Sequence, residues 1–408
     1  MGDFLKKYNI ELKTVGPVFI GSGETINKKE ALFKKDKVVI IDTKLMFEYF
    51  LKRNLLKQYQ EYMLDTSKDL AVFFKDNNID EKIYKTWNIK EFSLGDTKST
   101  SDGDVKGRGI VRFVRDGNGR VYVPGSSLKG MLRTILAGAY IIGDRDKRKY
   151  ASNDLDIGEK RFKILEAEIK DKAELKTFKT DKEKESWIER GKRKGLEETF
   201  KVSIDNIELQ LFHKQIFSSP DGKIKLANKI NDSLRGFMVS DSEYISDEDM
   251  CVCQKVDVSL DGTEILIPLY RECIKPGVTI RFSITIDSSF CKYTKPDIIE
   301  SIGSFYENYW NKVSKQFKKA PISKDRYTCF LGGGAGFESK TIIYSSFERT
   351  KAVDFTSNIL SVMFPNAKHD KDMEVSPRVV NCTKFEHTKY LFGACSLDKF
   401  KEEPIDLS

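Results

Sequence analysis

The sequence predicts an α+β protein built from two ferredoxin-like domains with helical insertions. Three observations lead there. Strand-like and helical runs alternate in both halves in a β-α-β-β-α-β manner. A charge-dense stretch at 146–200 separates the halves. A length of 408 residues also exceeds what one ordinary core holds. The expected division is therefore 1–145, carrying a helical insertion at about 44–108, then the charged segment 146–200, then 201–408.

Each element follows from local pattern. Ile10, Leu12 and Thr14 alternate with polar neighbours to give a first strand, which ends at Gly16-Pro17. Phe19-Ile20 run into Gly21-Ser22-Gly23-Glu24, where two glycines allow a sharp turn or close approach to a ligand. A hairpin joins Ala31–Phe33 to Val38–Ile41, and helical spacing then runs from Lys44 to about Tyr84, its aromatics read as core. Gly95 to Gly109 breaks all periodicity and reads as a mobile loop. A second hairpin follows, Ile110–Val114 to Arg120–Val123 around Asp116-Gly117-Asn118-Gly119.

Residues 144–201 hold 15 acidic and 18 basic side chains, a mixture typical of solvated helices rather than a core. Beyond them, strands are expected at Leu209–Phe212, Gly236–Ser242, Cys251–Val258, Glu264–Tyr270 and Val278–Ile286. A long helix from Pro296 to about Lys319 and helical runs at Ser339–Glu348 and Val353–Phe364 come next. Arg378–Phe385 and Lys389–Cys395 close the chain as strands.

Composition narrows the function classes. Lys+Arg 70 against Asp+Glu 62 gives +8, a mild basic bias compatible with a polyanionic partner. No run of apolar residues is long enough for a signal peptide or a membrane span, so a cytoplasmic protein without a membrane partner is expected. Seven cysteines without C-x-x-C pairs read as buried thiols, not a disulfide framework or zinc site. The three histidines, His213, His369 and His387, are far apart and without ligand spacing, so no metal or other cofactor is expected.

The richest stretch is Val121 to Leu136. Val121-Tyr122-Val123 reads as strand, Pro124-Gly125 stops it, and Ser126 or Ser127 suits the N-cap of a helix with Leu128, Met131, Leu132, Ile135 and Leu136 on its apolar side. Free N–H groups and the positive dipole end, beside Lys129 and Arg133, suit an anion and above all a phosphate; an ordinary capped helix uses the same residues. Ser126-x-x-Lys129 matches the S-x-x-K of penicillin-recognising enzymes, but no S-D-N follows and Lys340-Thr341-Ile342 lacks the glycine of K-T-G. Gly334 to Thr341 is one residue from a P-loop, with Ser339 in place of the second glycine. Gly332, Gly333, Gly334 and Gly336 ahead of Lys340 still form a second phosphate-compatible loop. His369-Asp370-Lys371-Asp372 reads as a polar loop.

These segments together carry a family resemblance. Gly16–Glu24, Val123–Arg133 and Leu331–Gly336 resemble the three glycine-rich signatures of the repeat-associated mysterious protein (RAMP) superfamily of CRISPR systems. Within it, the length, Leu234–Ser242, Gly332–Thr341 and Ser376-Pro377-Arg378 resemble the fifth-subunit family of type III-A Csm complexes. The resemblance implies two RRM-like domains and a non-catalytic subunit that caps the 3′ part of the crRNA and supports its 3′-end maturation in antiviral defence. It implies as partners the repeating backbone RAMP subunit, the small helical subunit and host nucleases. By match, Gly21, Ser22, Gly23, Gly125, Ser126, Ser127, Lys129, Arg133, Gly332, Gly333, Gly334, Gly336 and Lys340 would contact guide RNA. Family members that cut target RNA use a loop aspartate, for which only Asp42 stands early enough, and no catalytic residue is assigned. The alternative is a metal-independent RAMP endoribonuclease acting on precursor crRNA, but His213 and His387 have no evident acid–base partner.

Overall fold

The computed structural model describes residues 4–27, 29–34, 36–65, 68–87, 89–95, 109–213 and 231–404. The first half runs β1 (Leu5–Thr14), β2 (Gly21–Ile26), β3 (Ala31–Phe33), β4 (Lys37–Ile40), α1 (Thr43–Lys52), α2 (Leu56–Leu64), α3 (Leu70–Asp76), α4 (Glu81–Tyr84), β5 (Lys90–Leu94), β6 (Ile110–Phe113) and α5 (Gly125–Gly143). Two long helices follow, α6 (Arg145–Glu174) and α7 (Asp181–Phe212). The rest comprises β7 (Phe237–Val239), β8 (Met250–Ser259), β9 (Glu264–Ile274), β10 (Thr279–Asp287), α8 (Lys295–Lys312), β11 (Thr328–Phe330), α9 (Ile343–Ser346), α10 (Arg349–Met363), β12 (Val379–Phe385), β13 (Thr388–Leu391) and β14 (Ala394–Glu403). The fold is α+β, as expected.

The first sheet has the order β11-β14-β1-β10-β7, with every neighbouring pair antiparallel. Tyr8, Ile10, Leu12 and Thr14 of β1 are buried, so the alternation read from the sequence is the pleat of this central strand. Taken in chain order with its helices, β1-α5-β7-β10-α8-β14 is a β-α-β-β-α-β unit whose strands lie 4-1-3-2, the ferredoxin-like arrangement. Helices α5 and α8 pack together, and Gly138 makes their approach possible: a Cβ there would lie 2.4 Å from the Phe305 ring. The buried stripe of α5, Leu128, Leu132, Ile135 and Leu136, has the i, i+4, i+7, i+8 spacing of a core-facing helix.

The second sheet runs β2-β6-β9-β8-β5-β4-β3, with β12 on β8 and β13 on β12. Both sheets therefore take strands from before 145 and from after 201, and the ferredoxin-like order is traced once, by strands from the start, middle and end of the chain. The expectation of one such unit in each half gave way because β1 finds its partners, β10 and β14, in the second half of the chain. Helices α1–α4 carry a separate small core around Phe50, Phe73, Phe74 and Trp87.

Three local expectations also change. Leu209–Phe212 is the last turn of α7 and not a strand, because a four-residue apolar run fits a buried helix end equally well. The strand expected at Lys389–Cys395 is two strands, broken at Phe392-Gly393, where Gly393 has φ +73. The helix expected at Ser339–Glu348 reduces to a 3-10 turn at Glu338–Lys340 and the single-turn α9. Most of the loop expected between Gly95 and Gly109 lies outside the described residues. Among the described residues no helix is long and apolar enough to cross a membrane.

Strand β14 stands between β1 and β11, so removing residues 394–408 takes out an internal strand rather than a tail. The truncated chain is expected to lose its cooperative thermal transition, with retention of a single sharp transition in calorimetry counting against this topology.

Candidate functional site

The candidate site begins where Val121–Val123 runs antiparallel to 242–245, with Ile245 N–H donating to Val121 O at 2.9 Å and Ser242 N–H to Val123 O at 2.9 Å. Pro124 ends that segment and α5 starts at Gly125. A side chain at 125 would collide with the backbone, its Cβ 2.4 Å from Ser240 O. Neither Ser126 nor Ser127 caps the helix through its side chain. The cap comes from across the chain: Gly125 N–H donates to Asp241 Oδ1 at 2.8 Å. The expected N-cap role of the serines is thus corrected, because a carboxylate placed by the neighbouring strand satisfies the leading N–H and the dipole.

Helical geometry divides the rest of the motif. At 100° per residue, Ser127, Gly130, Met131 and Thr134 share one face of α5, and Lys129 and Arg133 lie on the other side. Lys129 Nζ donates to Leu234 O at 2.8 Å, and burial lowers its pKa. Arg133 is held by Asp232 at 2.7 Å and Glu208 at 2.8 Å, and its guanidinium lies 4.4 Å from the centre of the Phe212 ring. These two cations tie α5 to the end of α7 and to the turn at 232–234.

The face bearing Ser127 lines a cavity of about 340 Å³. Gly21, Ser126, Ser127, Gly332, Gly333 and Lys340, from all three glycine-rich segments, meet there. The joint is specific. Gly333 N–H donates to Phe19 O at 2.6 Å, and Gly332, at φ +79, has no room for a Cβ, which would lie 2.2 Å from that same oxygen. The late loop therefore rests on the backbone immediately before Gly21. Ser22, Gly23, Gly125, Lys129, Arg133, Gly334 and Gly336 do not line the cavity. Ser22 and Gly23 are exposed beside it in β2, and Asp42 is a cap, its carboxylate accepting from Lys44 N–H and Leu45 N–H of α1.

Several lining residues were not among the expected contacts: Gly130, Met131, Thr134, and the floor formed by Phe305, Tyr306, Tyr309 and Phe330. The i, i+3, i+4, i+7 spacing from Ser127 was the available signal for the first group. The floor aromatics looked like ordinary core, and they are 3–7 % exposed.

The electrostatics around the late loop are unbalanced. Arg271 lies between Phe19 and Phe392, 5.3 Å from each ring, its Nη1 without a hydrogen bond and its pKa lowered by burial. Lys340, exposed overall, has its ammonium pKa lowered by desolvation and then by Arg271. Among the described residues neither cation has an ion-pair partner. Glu338 is buried with Oε2 unpaired, and burial pushes its carboxyl up to about 7.

The RAMP superfamily model matches residues 11–337. The chain belongs to the RAMP superfamily. Full-length relatives are named CRISPR system Cms protein Csm5. The Mycobacterium tuberculosis protein is 23% identical over 97% of this chain and 98% of its own, and the Enterococcus italicus protein 27% identical over 96% and 97%. The Streptococcus thermophilus Csm5 is 24% identical over 83% of this chain and 80% of its own. The fold resembles a chain of a Csm-crRNA-target RNA ternary complex of a type III-A CRISPR-Cas system, with TM-score 0.61, 16% identity and coverage of 96% and 100%. It also resembles T. onnurineus Csm5, with TM-score 0.56, 15% identity and coverage of 95% and 100%.

Glu338 gives this RAMP chain a pH signature. Below the ordinary carboxyl value of 4.5 both folded and unfolded chains hold the proton. As pH rises from there to about 7 the unfolded chain ionises first, so stability falls, by an amount on the order of 3 kcal/mol. Glu338→Gln is expected to raise the melting temperature at about pH 8 and to change it little at about pH 4.5. Equal shifts at both pH values in differential scanning calorimetry would contradict the assignment.

Proposed function

We propose that the chain is the Csm5-type subunit of a type III-A CRISPR ribonucleoprotein, holding the 3′ part of the crRNA by its backbone. The observation that carries this reading is the convergence of Gly21, Ser126-Ser127 and Gly332-Gly333 on one cavity, in a chain similar to Csm5 proteins over nearly its whole length. Exposed glycine backbone, hydroxyls and the cation Lys340 suit phosphate and sugar, contacts that position RNA without reading sequence. A subunit that must accept any guide needs that kind of contact.

The proposed partners are crRNA, the repeating backbone RAMP subunit and the small helical subunit, with host nucleases trimming the 3′ end beside it in the cytoplasm. The role is positional rather than catalytic. The lining offers glycines, hydroxyls, aromatics, one lysine and the Cys329 thiol, and burial pushes the thiol and the Tyr306 phenol each up to about 12, away from proton transfer at neutral pH. His213, His369 and His387 lie outside the lining.

The decisive experiment is purification of the tagged chain from its host with sequencing of bound RNA and identification of accompanying proteins. Repeat-derived RNAs with Csm partners are expected; recovery without either would overturn the reading. Salt titration gives a second test. Lys340→Ala is expected to reduce the slope of log affinity against log salt by about 0.7 for single-stranded RNA. An unchanged slope would remove Lys340 from the phosphate contacts.

A further inference from the structure

We propose that the cavity takes one unstacked nucleobase of the bound RNA while that nucleotide's sugar and phosphate stay on the glycine and serine rim. This rests on the RNA-holding reading above, and it assigns to the cavity a ligand class that backbone contacts alone do not require.

The cavity is layered in chemistry. Its rim is exposed and polar, with Gly21, Ser126, Gly130 and Lys340 open to solvent. Its floor is aromatic: Tyr306, Tyr309 and Phe330 touch one another with centroids 5.2 to 6.3 Å apart, and Phe305 lines the cavity beside them. A phosphate needs only the rim. A nucleotide uses both layers, because every base has a flat π face that packs on aromatic rings whatever its sequence.

Size and polarity agree. About 340 Å³ lies at the lower end of the range of roughly 300–1,000 Å³ for small-molecule sites, enough for a base and its sugar but not for a helix of RNA or peptide. The lining also includes Thr328, 3 % exposed, whose hydroxyl interacts with the Tyr306 phenol. Hydroxyls at that depth suit the polar edge of a base.

The usual stacking surface of this kind of sheet is not equipped for the task. The face of the first sheet turned away from α5 and α8 carries Asn9, Glu11 and Lys13 on β1 and Arg281 and Ser283 on β10. Glu11 is tied there to Arg281 at 3.3 Å and Lys399 at 3.1 Å. The central strands thus present ion pairs where RNA-binding sheets of this topology present aromatic rings. The aromatic surface next to the proposed RNA path lies on the helix side, in the cavity.

Gly130 supplies a variant with little risk to the fold, since a Cβ there meets nothing within 4 Å and replacing a helical glycine favours the helix. The test uses the assembled complex loaded with synthetic crRNAs, each carrying a single photoreactive thiouracil, scanned through the 3′ part. One position is expected to crosslink to peptides 126–135 or 305–309 with a yield about tenfold above its neighbours. Gly130→Phe, which fills the mouth, should remove that crosslink while crosslinks at neighbouring 3′ positions persist; Gly130→Ala should keep it. Bound crRNA with no preferred position, or a crosslink that survives Gly130→Phe, overturns the nucleobase inference and leaves backbone holding intact. A complex in which this chain crosslinks to crRNA nowhere overturns both.

Discussion

The cavity depends on one backbone contact, the hydrogen bond from Gly333 N–H to Phe19 O at 2.6 Å. It brings a loop from the last quarter of the chain onto the segment between the first two strands. No other residue type fits at Gly332, where both the positive φ and the nearby carbonyl exclude a side chain. With the loop so placed, Lys340 faces the start of α5 and Phe330 joins the aromatic floor. The glycines in this loop are therefore first a condition of close packing; the exposed backbone they leave at the rim is what a ligand would meet.

The same economy governs the start of α5. A helix N-terminus next to serines invites an external anion, yet Asp241 fills the leading position from within. Arg133 and Lys129 are likewise used internally, against Glu208, Asp232 and the Leu234 carbonyl. Those contacts hold the long hairpin of α6 and α7 to the ferredoxin-like unit. Removing Arg133 would strand two carboxylates, so its loss should be felt in stability ahead of ligand binding. Among the described residues, the cations without an ion-pair partner are Lys340 on the cavity lining and Arg271 beside Gly334, between Phe19 and Phe392.

Much of this was legible in the sequence, and the limits have physical causes. The three glycine-rich segments were visible because turns and close approaches leave compositional marks, and their convergence is what the fold adds. The basic character of Lys129 and Arg133 was equally visible. Their direction was not, since their partners, two carboxylates and a backbone carbonyl, come from 75 to 105 residues away in contacts that no local pattern encodes. Tyr306 and Tyr309 share a helical face with core residues, so periodicity alone gave no reason to separate cavity floor from packing. The separation of the sheets failed for a related reason: alternation in β1 fixes which face is buried but not which strands lie beside it.

A site assembled from residues 21, 126 and 332 exists only when the whole chain has folded. Strand β1 needs β14, the late loop needs Phe19, and α5 needs Asp241 from the strand region after α7. Any ligand held in the cavity touches the folded state alone, so its binding energy adds to the stability of the entire molecule and not of one domain. The coupling also runs the other way. An incomplete chain ending before the late loop lacks Gly332 and Gly333 at the rim and Phe330 in the floor. Whatever the cavity holds, it can hold only after the late loop has docked on Phe19.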